Sequence, residues 1–255
     1  MKKLIVNADD FGQDEDTLTR TIEGFELGRI SSATIMAGMP ETARAVEYAK
    51  AHPQFSFGVH LCLVDERPVS DPKDIPSMVD PKTGRLWLTR QFILRNFAGL
   101  VSVGDIQREM SAQIDALRAL GLKISHLDGH GHNHRLPQSL KALERVMSDY
   151  GIKKVRRCQD VFVGKPGLLS KLINGPMQRR MNRSGMVMTD HFAMNAGKVM
   201  DVNWFRDLVA RLDDGITEIG IHPGRNEAWR RIDCEGCYTG VASGYELISF
   251  NDLGE

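Results

Sequence analysis

Two stretches of this sequence carry residue types that do chemistry, at spacings that could bring them to bear together. In "IVNADDFG", residues 5–12, an apolar run delivers two adjacent carboxylates, Asp9 and Asp10. In "HLDGHGHNH", residues 126–134, His126, Asp128, His130, His132 and His134 occupy every second position. Neighbouring carboxylates repel unless a shared proton or a cation relieves them, and a divalent ion does so while leaving one carboxylate free for acid–base work. A hydrolytic metal site needs about three protein ligands, typically His and carboxylate, plus an open position for water, and one aspartate with two histidines meets that need. Extended backbone would point the alternate side chains of 126–134 to one side, while Gly129 and Gly131 allow the chain to turn there instead. Blander readings exist for both stretches: "DD" ahead of a helix can be an N-cap, and a histidine-rich segment can be a solvated loop. Four histidines in nine positions at the end of an apolar strand weigh against the loop.

The elements that must position these residues read as strands alternating with helices. "KLIVNAD" precedes the amphipathic "DTLTRTIEGFELG", "SSATIMA" precedes "PETARAVEYAKA", and "FSFGVHL" is a third strand. Residues 64–90, rich in Pro, Asp, Gly and Lys, mark a long loop. There follow "DIQREMSAQIDALRALG" as helix, "KISHLD" as strand, "PQSLKALERVMSDYG" as helix and "KKVRR" as strand. Residues 164–184 are helical in pattern but broken at Gly175-Pro176, with "QRRMNR" as a solvated face, and then come strand "MVMTDHF", helix "DVNWFRDLVARLDDG" and strand "TEIGIH". Seven β–α units with short, apolar strands predict a parallel sheet wound with helices, and that count favours a (β/α) barrel over an open sheet. Asp9 and Asp10 end the first strand, His60 the third, Arg156 the fifth, Asp190 and His191 the sixth and His222 the seventh, with 126–134 following the fourth. In a parallel barrel those ends converge on the face that carries the active site.

Composition bounds the partners. The chain has 255 residues, 42% hydrophobic and 26% charged, with 33 basic and 33 acidic residues. That length suits one α/β unit, taken as residues 1–255, and zero net charge argues against nucleic acid or an anionic membrane as an obligatory partner. No stretch approaches the ~20 apolar residues that span a bilayer, and Met1-Lys2-Lys3 leads directly into a strand, so a cytoplasmic protein is expected. Cys62, Cys158, Cys234 and Cys237 are too few for a disulfide framework, and the lone CxxC at Cys234 and Cys237 reads as an incidental feature. A homo-oligomer is compatible with all of this.

"NADDFG", "GVHL" at 58–61, "HLDGHGHNH", "VR" at 155–156 and "IHPG" at 221–224 occur in the order found in the YdjC-like carbohydrate deacetylases, and the sequence resembles that family over nearly its whole length. The resemblance implies a deformed (β/α) barrel of about seven parallel strands, akin to the polysaccharide deacetylases, and divalent-metal-dependent removal of an N-acetyl group from a small amino sugar, oligosaccharide or glycosylated metabolite. It implies Asp10, His60 and His130 as metal ligands, with His126 the competitor of His130. It further implies Asp9 as general base, His222 as the acid that protonates the departing amine, and Arg156 as the group that orients or charge-balances Asp9. His126, Asp128, His132, Asp190 and His191 would lie around the ligands or contact substrate. Histidine-rich ligation favours Zn²⁺ over Mg²⁺, and Co²⁺ or Ni²⁺ would also fit. After His222 the family has a further helix and a final strand, whereas 225–244 shows no clean helical period before "YELISF", so an irregular or open last quarter is expected. Trp87 in the long loop could stack on a sugar ring or pack the loop itself. A metal-dependent phosphoesterase and a non-catalytic sugar-binding protein are the alternative functions.

Overall fold

Period-two burial in the first strand sets the layout. Along β1 (Lys2–Phe11), Leu4, Val6 and Ala8 join the main apolar core, whereas Ile5 packs in a separate small cluster and Asn7 and Asp9 bond to buried polar side chains. One face of the strand therefore meets helices and the other looks into a barrel interior. The third strand, β3 (Ser56–Leu61), repeats the pattern, with Phe57, Val59 and Leu61 in the core and His60 inside. The computed structural model describes residues 1–164, 168–195, 198–240 and 243–254.

The remaining strands are β2 (Ser32–Ile35), β4 (Leu127–Gly129), β5 (Val161–Phe162), β6 (His191–Met194), β7 (Gly215–Ile221) and β8 (Tyr245–Leu247). They pair in parallel in the order β4-β3-β2-β1-β7-β6-β5, and β8 pairs the start of β1. Single bridges, Leu127 to Val155 and Lys154 to Val187, join the β4 edge to the segment leading into β6, so the sheet curls into a barrel whose seam is thin. "KKVRR" contributes that seam rather than a full strand. Around the sheet lie α1 (Glu15–Glu26), α2 (Thr42–Ala51), α3 (Thr89–Phe97), α4 (Val103–Ala119), α5 (Pro137–Tyr150), α6 (Leu168–Arg183), α7 (Trp204–Arg211) and α8 (Ala228–Thr239). Among the described residues no helix is long and apolar enough to cross a membrane.

Several expectations need correction. Helix α6 runs through Gly175-Pro176 without breaking, and residues 165–167 of that stretch lie outside the described residues. Its basic run is not wholly solvated, since Arg180 Nε donates to Glu144 Oε1 at 2.9 Å and Met181 is buried. The last quarter is regular: α8 occupies the segment read as aperiodic, and β8 follows. The buried residues of α8 are Arg230, Asp233, Cys234, Gly236, Cys237 and Tyr238; apart from Gly236 they follow an i, i+3, i+4, i+7, i+8 series that hydrophobicity alone misses because two members are charged. Trp87 packs its own loop, donating its indole N–H to Ser77 O at 3.0 Å with the Arg95 guanidinium 4.3 Å from the ring centroid.

Gly236 on α8 lets the helix close on Trp204, because a Cβ there would lie 2.2 Å from Trp204 Nε1. Gly236→Ala should therefore force α8 off the barrel. Overpacking of this kind costs about 1–3 kcal/mol, which at this chain length lowers the thermal midpoint by roughly 2–12 °C. A midpoint within 1 °C of wild type in a calorimetric scan would contradict this packing.

Candidate functional site

Two adjacent residues on a strand normally face opposite ways, so Asp9 and Asp10 need a device to meet. Asp10 has φ +61°, one of three non-glycine residues with positive φ among those described, and the pairing with β2 slips between Ala8 and Phe11. This bulge turns the Asp10 carboxylate back into the barrel mouth beside Asp9, and Gln13 N donates to Asp10 O at 3.0 Å to close the turn. The N-cap reading fails on the same observation: helix α1 is capped by Asp14, whose side chain accepts from Thr17 N at 2.8 Å.

Asp9 is gripped by the fully buried guanidinium of Arg156. Nη1 donates to Asp9 Oδ2 at 2.6 Å and Nη2 to Oδ1 at 2.7 Å, while Asn7 Nδ2 donates to Oδ1 at 2.9 Å. The same guanidinium reaches Asp128 Oδ2 at 2.8 Å through Nη1 and Glu218 Oε1 at 2.6 Å through Nε, and its carbon lies 4.7 Å from the Phe192 ring centroid. Burial works against Asp128 ionising, but Arg156 and His60 hold its carboxyl well below the ordinary range.

Asp10, His60 and His130 present ligand atoms all within 4.8 Å of one another. His60 Nε2 lies 3.2 Å and His130 Nδ1 3.0 Å from Asp10 Oδ1. Tetrahedral ligands at the 2.0–2.1 Å bond lengths of zinc stand about 3.3 Å apart, so this spacing fits a cation. His60 Nε2 is buried and faces no polar atom closer than Asp10 Oδ1, and its Nδ1 lies 2.8 Å from Asp128 Oδ1, an arrangement that orients a ligating imidazole. Thr34 Oγ1 donates to Asp128 Oδ2 at 3.0 Å and steadies that carboxylate. Burial raises the Asp10 carboxyl, yet the bonds from His130 and His60 hold it well below its usual value. For His60 burial is again opposed, by the Asp128 charge and by hydrogen bonds that the imidazolium donates to Asp10 and Asp128, and the imidazole is raised to about 10. Ligand atoms of Asp9, His60 and Asp128 also lie within 4.8 Å of one another, but these two carboxylates already share Arg156 Nη1, so a guanidinium occupies that position.

His222 follows β7, with Nε2 4.0 Å from Asp9 Oδ2. Its backbone N–H donates to Asp233 Oδ2 at 2.8 Å and its Nδ1 lies 3.5 Å from the same oxygen. Burial would lower the His222 imidazole, but the Asp233 bond and the charges of Asp9 and Asp10 raise it. Trp229 stands edge-on to His222, ring centroids 5.2 Å apart.

The other expected residues are not gathered here. His126 faces the interior two residues before Asp128, about 6.5 Å deeper along the strand; it stacks on Phe250 with centroids 3.6 Å apart, and burial drives its imidazole down to about 3. Between the two candidates for third ligand, the geometry assembles His130. The alternation expected over 126–134 ends at Gly129, because Gly131 (φ +57°) and His132 (φ +56°) turn left-handed. His132 lies at the mouth, 5.4 Å from Phe192, while His134 turns back to Arg156 O at 3.3 Å. Asp190 and His191 open β6 instead of ending it: His191 pairs opposite Thr217, near the start of β7, and Nδ1 lies 2.9 Å from Asp160 Oδ2. Asp190 accepts from Ile216 N at 2.9 Å, so the residue of this strand that reaches the site is Phe192.

Three members of the site were missed in the sequence: Glu218, Arg230 and Asp233. Arg230 Nη2 donates to Asp10 Oδ2 at 2.8 Å. Glu218 carried a legible signal, a lone acid inside the apolar strand "TEIGIH", whereas Arg230 and Asp233 required α8 to be seen first.

A family model described as YdjC-like protein matches residues 3–242. Carbohydrate deacetylases of Geobacillus stearothermophilus and Halalkalibacterium halodurans are 36% and 34% identical over 148 and 150 residues, 57% and 59% of this chain. These matches span 56% and 62% of the relatives' own lengths, under two thirds. Among solved structures, an Enterococcus faecalis protein provisionally ascribed to cellobiose-phosphate cleavage superposes with a TM-score of 0.74 at 21% identity, over 98% of both chains, a likeness of fold.

Glu218 gives the site a pH signature. Burial raises its carboxyl, Arg156 lowers it and Asp128 raises it, leaving it at about 7, with Oε2 unpartnered. Below pH ~4.5 folded and unfolded chains both hold the proton; from there to about 7 only the unfolded chain ionises, so stability is lost as pH rises through that window. In divalent-ion-free buffer, the urea midpoint of wild type relative to Glu218→Gln should fall steadily from pH 4.5 to 7. A difference independent of pH would show that Glu218 ionises normally.

Proposed function

The chain belongs to the YdjC-like protein family, and from that premise we propose that it is a carbohydrate deacetylase, hydrolysing the acetamide of a small N-acetylated amino sugar, oligosaccharide or glycosylated metabolite to acetate and the free amine. The observation that carries the proposal is the adjacency of three functions at one barrel mouth. The donor set Asp10, His60 and His130 lies beside a carboxylate, Asp9, and Asp9 Oδ2 is 4.0 Å from the imidazole of His222. Amide hydrolysis needs a proton removed from water and a proton given to nitrogen, and a base–acid pair at this spacing serves both ends.

Asp10, His60 and His130 would hold a divalent cation, Zn²⁺ by the balance of two nitrogens and one oxygen, and the cation would supply Lewis-acid polarisation of the acetyl carbonyl. Asp9 takes the proton of the attacking water. Arg156 fixes both Asp9 oxygens in place, so the carboxylate meets that water in one orientation. His222, its Nδ1 turned to Asp233, presents Nε2 toward the reacting centre and delivers a proton to the amine nitrogen as the C–N bond breaks. A two-metal phosphoesterase is disfavoured because Arg156 already fills the second cation position.

The two aspartates should fail differently. Asp10→Asn tolerates the left-handed backbone of position 10 and removes an anionic ligand, so Zn²⁺ or Co²⁺ content by elemental analysis should fall well below one per chain, with turnover lost as it is on chelation of wild type. Asp9→Asn should keep its metal and lose about 10²–10⁴ in kcat. Equal metal content in the two variants would overturn this division.

His222→Ala should lower kcat by about 10² or more on an N-acetyl sugar, and much less on an activated aryl acetate whose phenolate departs without a proton. An equal loss on both substrates would remove His222 from the acid role.

A further inference from the structure

The Asp10 carboxylate is shared between two neighbours. Oδ1 faces His60 Nε2 and His130 Nδ1 at 3.2 and 3.0 Å, whereas Oδ2 accepts from Arg230 Nη2 at 2.8 Å. Arg230 is itself held from several sides: Nε donates to Glu227 Oε2 at 2.9 Å, Nη2 also donates to Gln13 Oε1 at 3.1 Å, and the guanidinium carbon lies 4.9 Å from the Trp229 ring centroid. Gln13 is the residue whose N–H closes the left-handed turn at Asp10. One buried guanidinium on α8 therefore grips both the carboxylate and the turn that aims it.

We propose that Arg230 is a positioning residue that restricts Asp10 to single-oxygen ligation, keeping the remaining coordination position open for substrate. The inference rests on the reading of Asp10, His60 and His130 as cation ligands. With a charged, bidentate-capable donor occupying Oδ2, only Oδ1 is free to face the cation. Carboxylates left unrestrained ligate through one oxygen or two. Release of Oδ2 would let the second oxygen occupy the place that a hydrolytic site leaves vacant. It would also return charge to Asp10 and remove a cationic neighbour, so the cation should bind no more weakly than before. Loss of turnover without loss of metal separates this role from simple support of the ligand set.

The test uses Co²⁺, whose visible absorption weakens as coordination number rises above four. Arg230→Met removes the donor at similar length, and Arg230→Lys retains one. Co²⁺-loaded Arg230→Met should show weakened visible bands, Co²⁺ affinity equal to or tighter than wild type by titration, and kcat lower by tenfold or more with smaller change in KM. Arg230→Lys should restore the wild-type spectrum. A wild-type spectrum in Arg230→Met, or a tenfold loss of Co²⁺ affinity, would overturn the proposal. Should Arg230→Met not fold, Arg230→Gln is judged by the same two criteria. A wild-type protein that takes up no Co²⁺ would instead overturn the cation reading, and this inference with it.

Discussion

One buried guanidinium holds this barrel together at its weakest place. Residues 154 and 155 join β4 to the segment before β6 by single bridges only, where other neighbours share ladders. Arg156 follows directly, and its side chain ties three strands: β1 through Asp9, β4 through Asp128 and β7 through Glu218. Breaking such a buried, hydrogen-bonded charge network typically costs about 3–5 kcal/mol, because the partners are left buried without compensation. The seam thus relies on side-chain charge where backbone pairing is sparse. The same contacts fix Asp9 and, through Asp128, the ring of His60. Closure of the fold and alignment of the site are one set of bonds.

A second constraint acts from the opposite side of the mouth. The bulge at Asp10 breaks strand alternation, and a non-glycine residue in left-handed backbone costs of order 1–3 kcal/mol. Its surroundings over-determine it: Gln13 closes the turn, and Arg230 on α8 bonds to both Gln13 and Asp10. Helix α8 also supplies Asp233 to His222. A helix that comes after the final site-bearing strand is therefore what locks the residues delivered by the first.

Legibility in the sequence followed the physical signal each residue carries. The parallel barrel and the placing of Asp9, Asp10, His60 and His222 were readable because apolar strands ended in polar residues, and strand ends in such folds converge. Depth was not readable: His126 and Asp128 share a face, but a spacing of two residues separates a core position from the site. Register was not readable either, since "MVMTDHF" does not reveal that the paired strand starts at His191 and so carries Asp190 and His191 to the far end. Helix α8 was hidden for a different reason, its buried face being made of Arg, Asp, Cys and Tyr. A search for apolar periodicity finds only helices that bury hydrocarbon, and this helix buries charge in order to serve the site.

Charge balance explains why that is tolerable. Asp9, Asp10, Asp128, Glu218 and Asp233 are all nearly or fully buried around one cavity mouth, with Arg156 and Arg230 as their permanent cations. The excess negative charge pushes its neighbours toward their protonated forms: His60 is raised to about 10 and His222 is raised, while burial with the Asp128 charge raises Glu218 to about 7. These groups differ in what they can exchange a proton for. Glu218 is buried beneath Arg156 and has only the proton. His222 lies at the mouth beside Asp9, where under the proposed hydrolysis a proton held at Nε2 would go to the leaving group. His60 faces Asp10 and His130, where a divalent ion would offset the carboxylate charge in place of a proton. An acidic cluster fixed by two arginines thus concentrates a demand for positive charge at one point, and the three donors at that point form a set able to hold a metal ion.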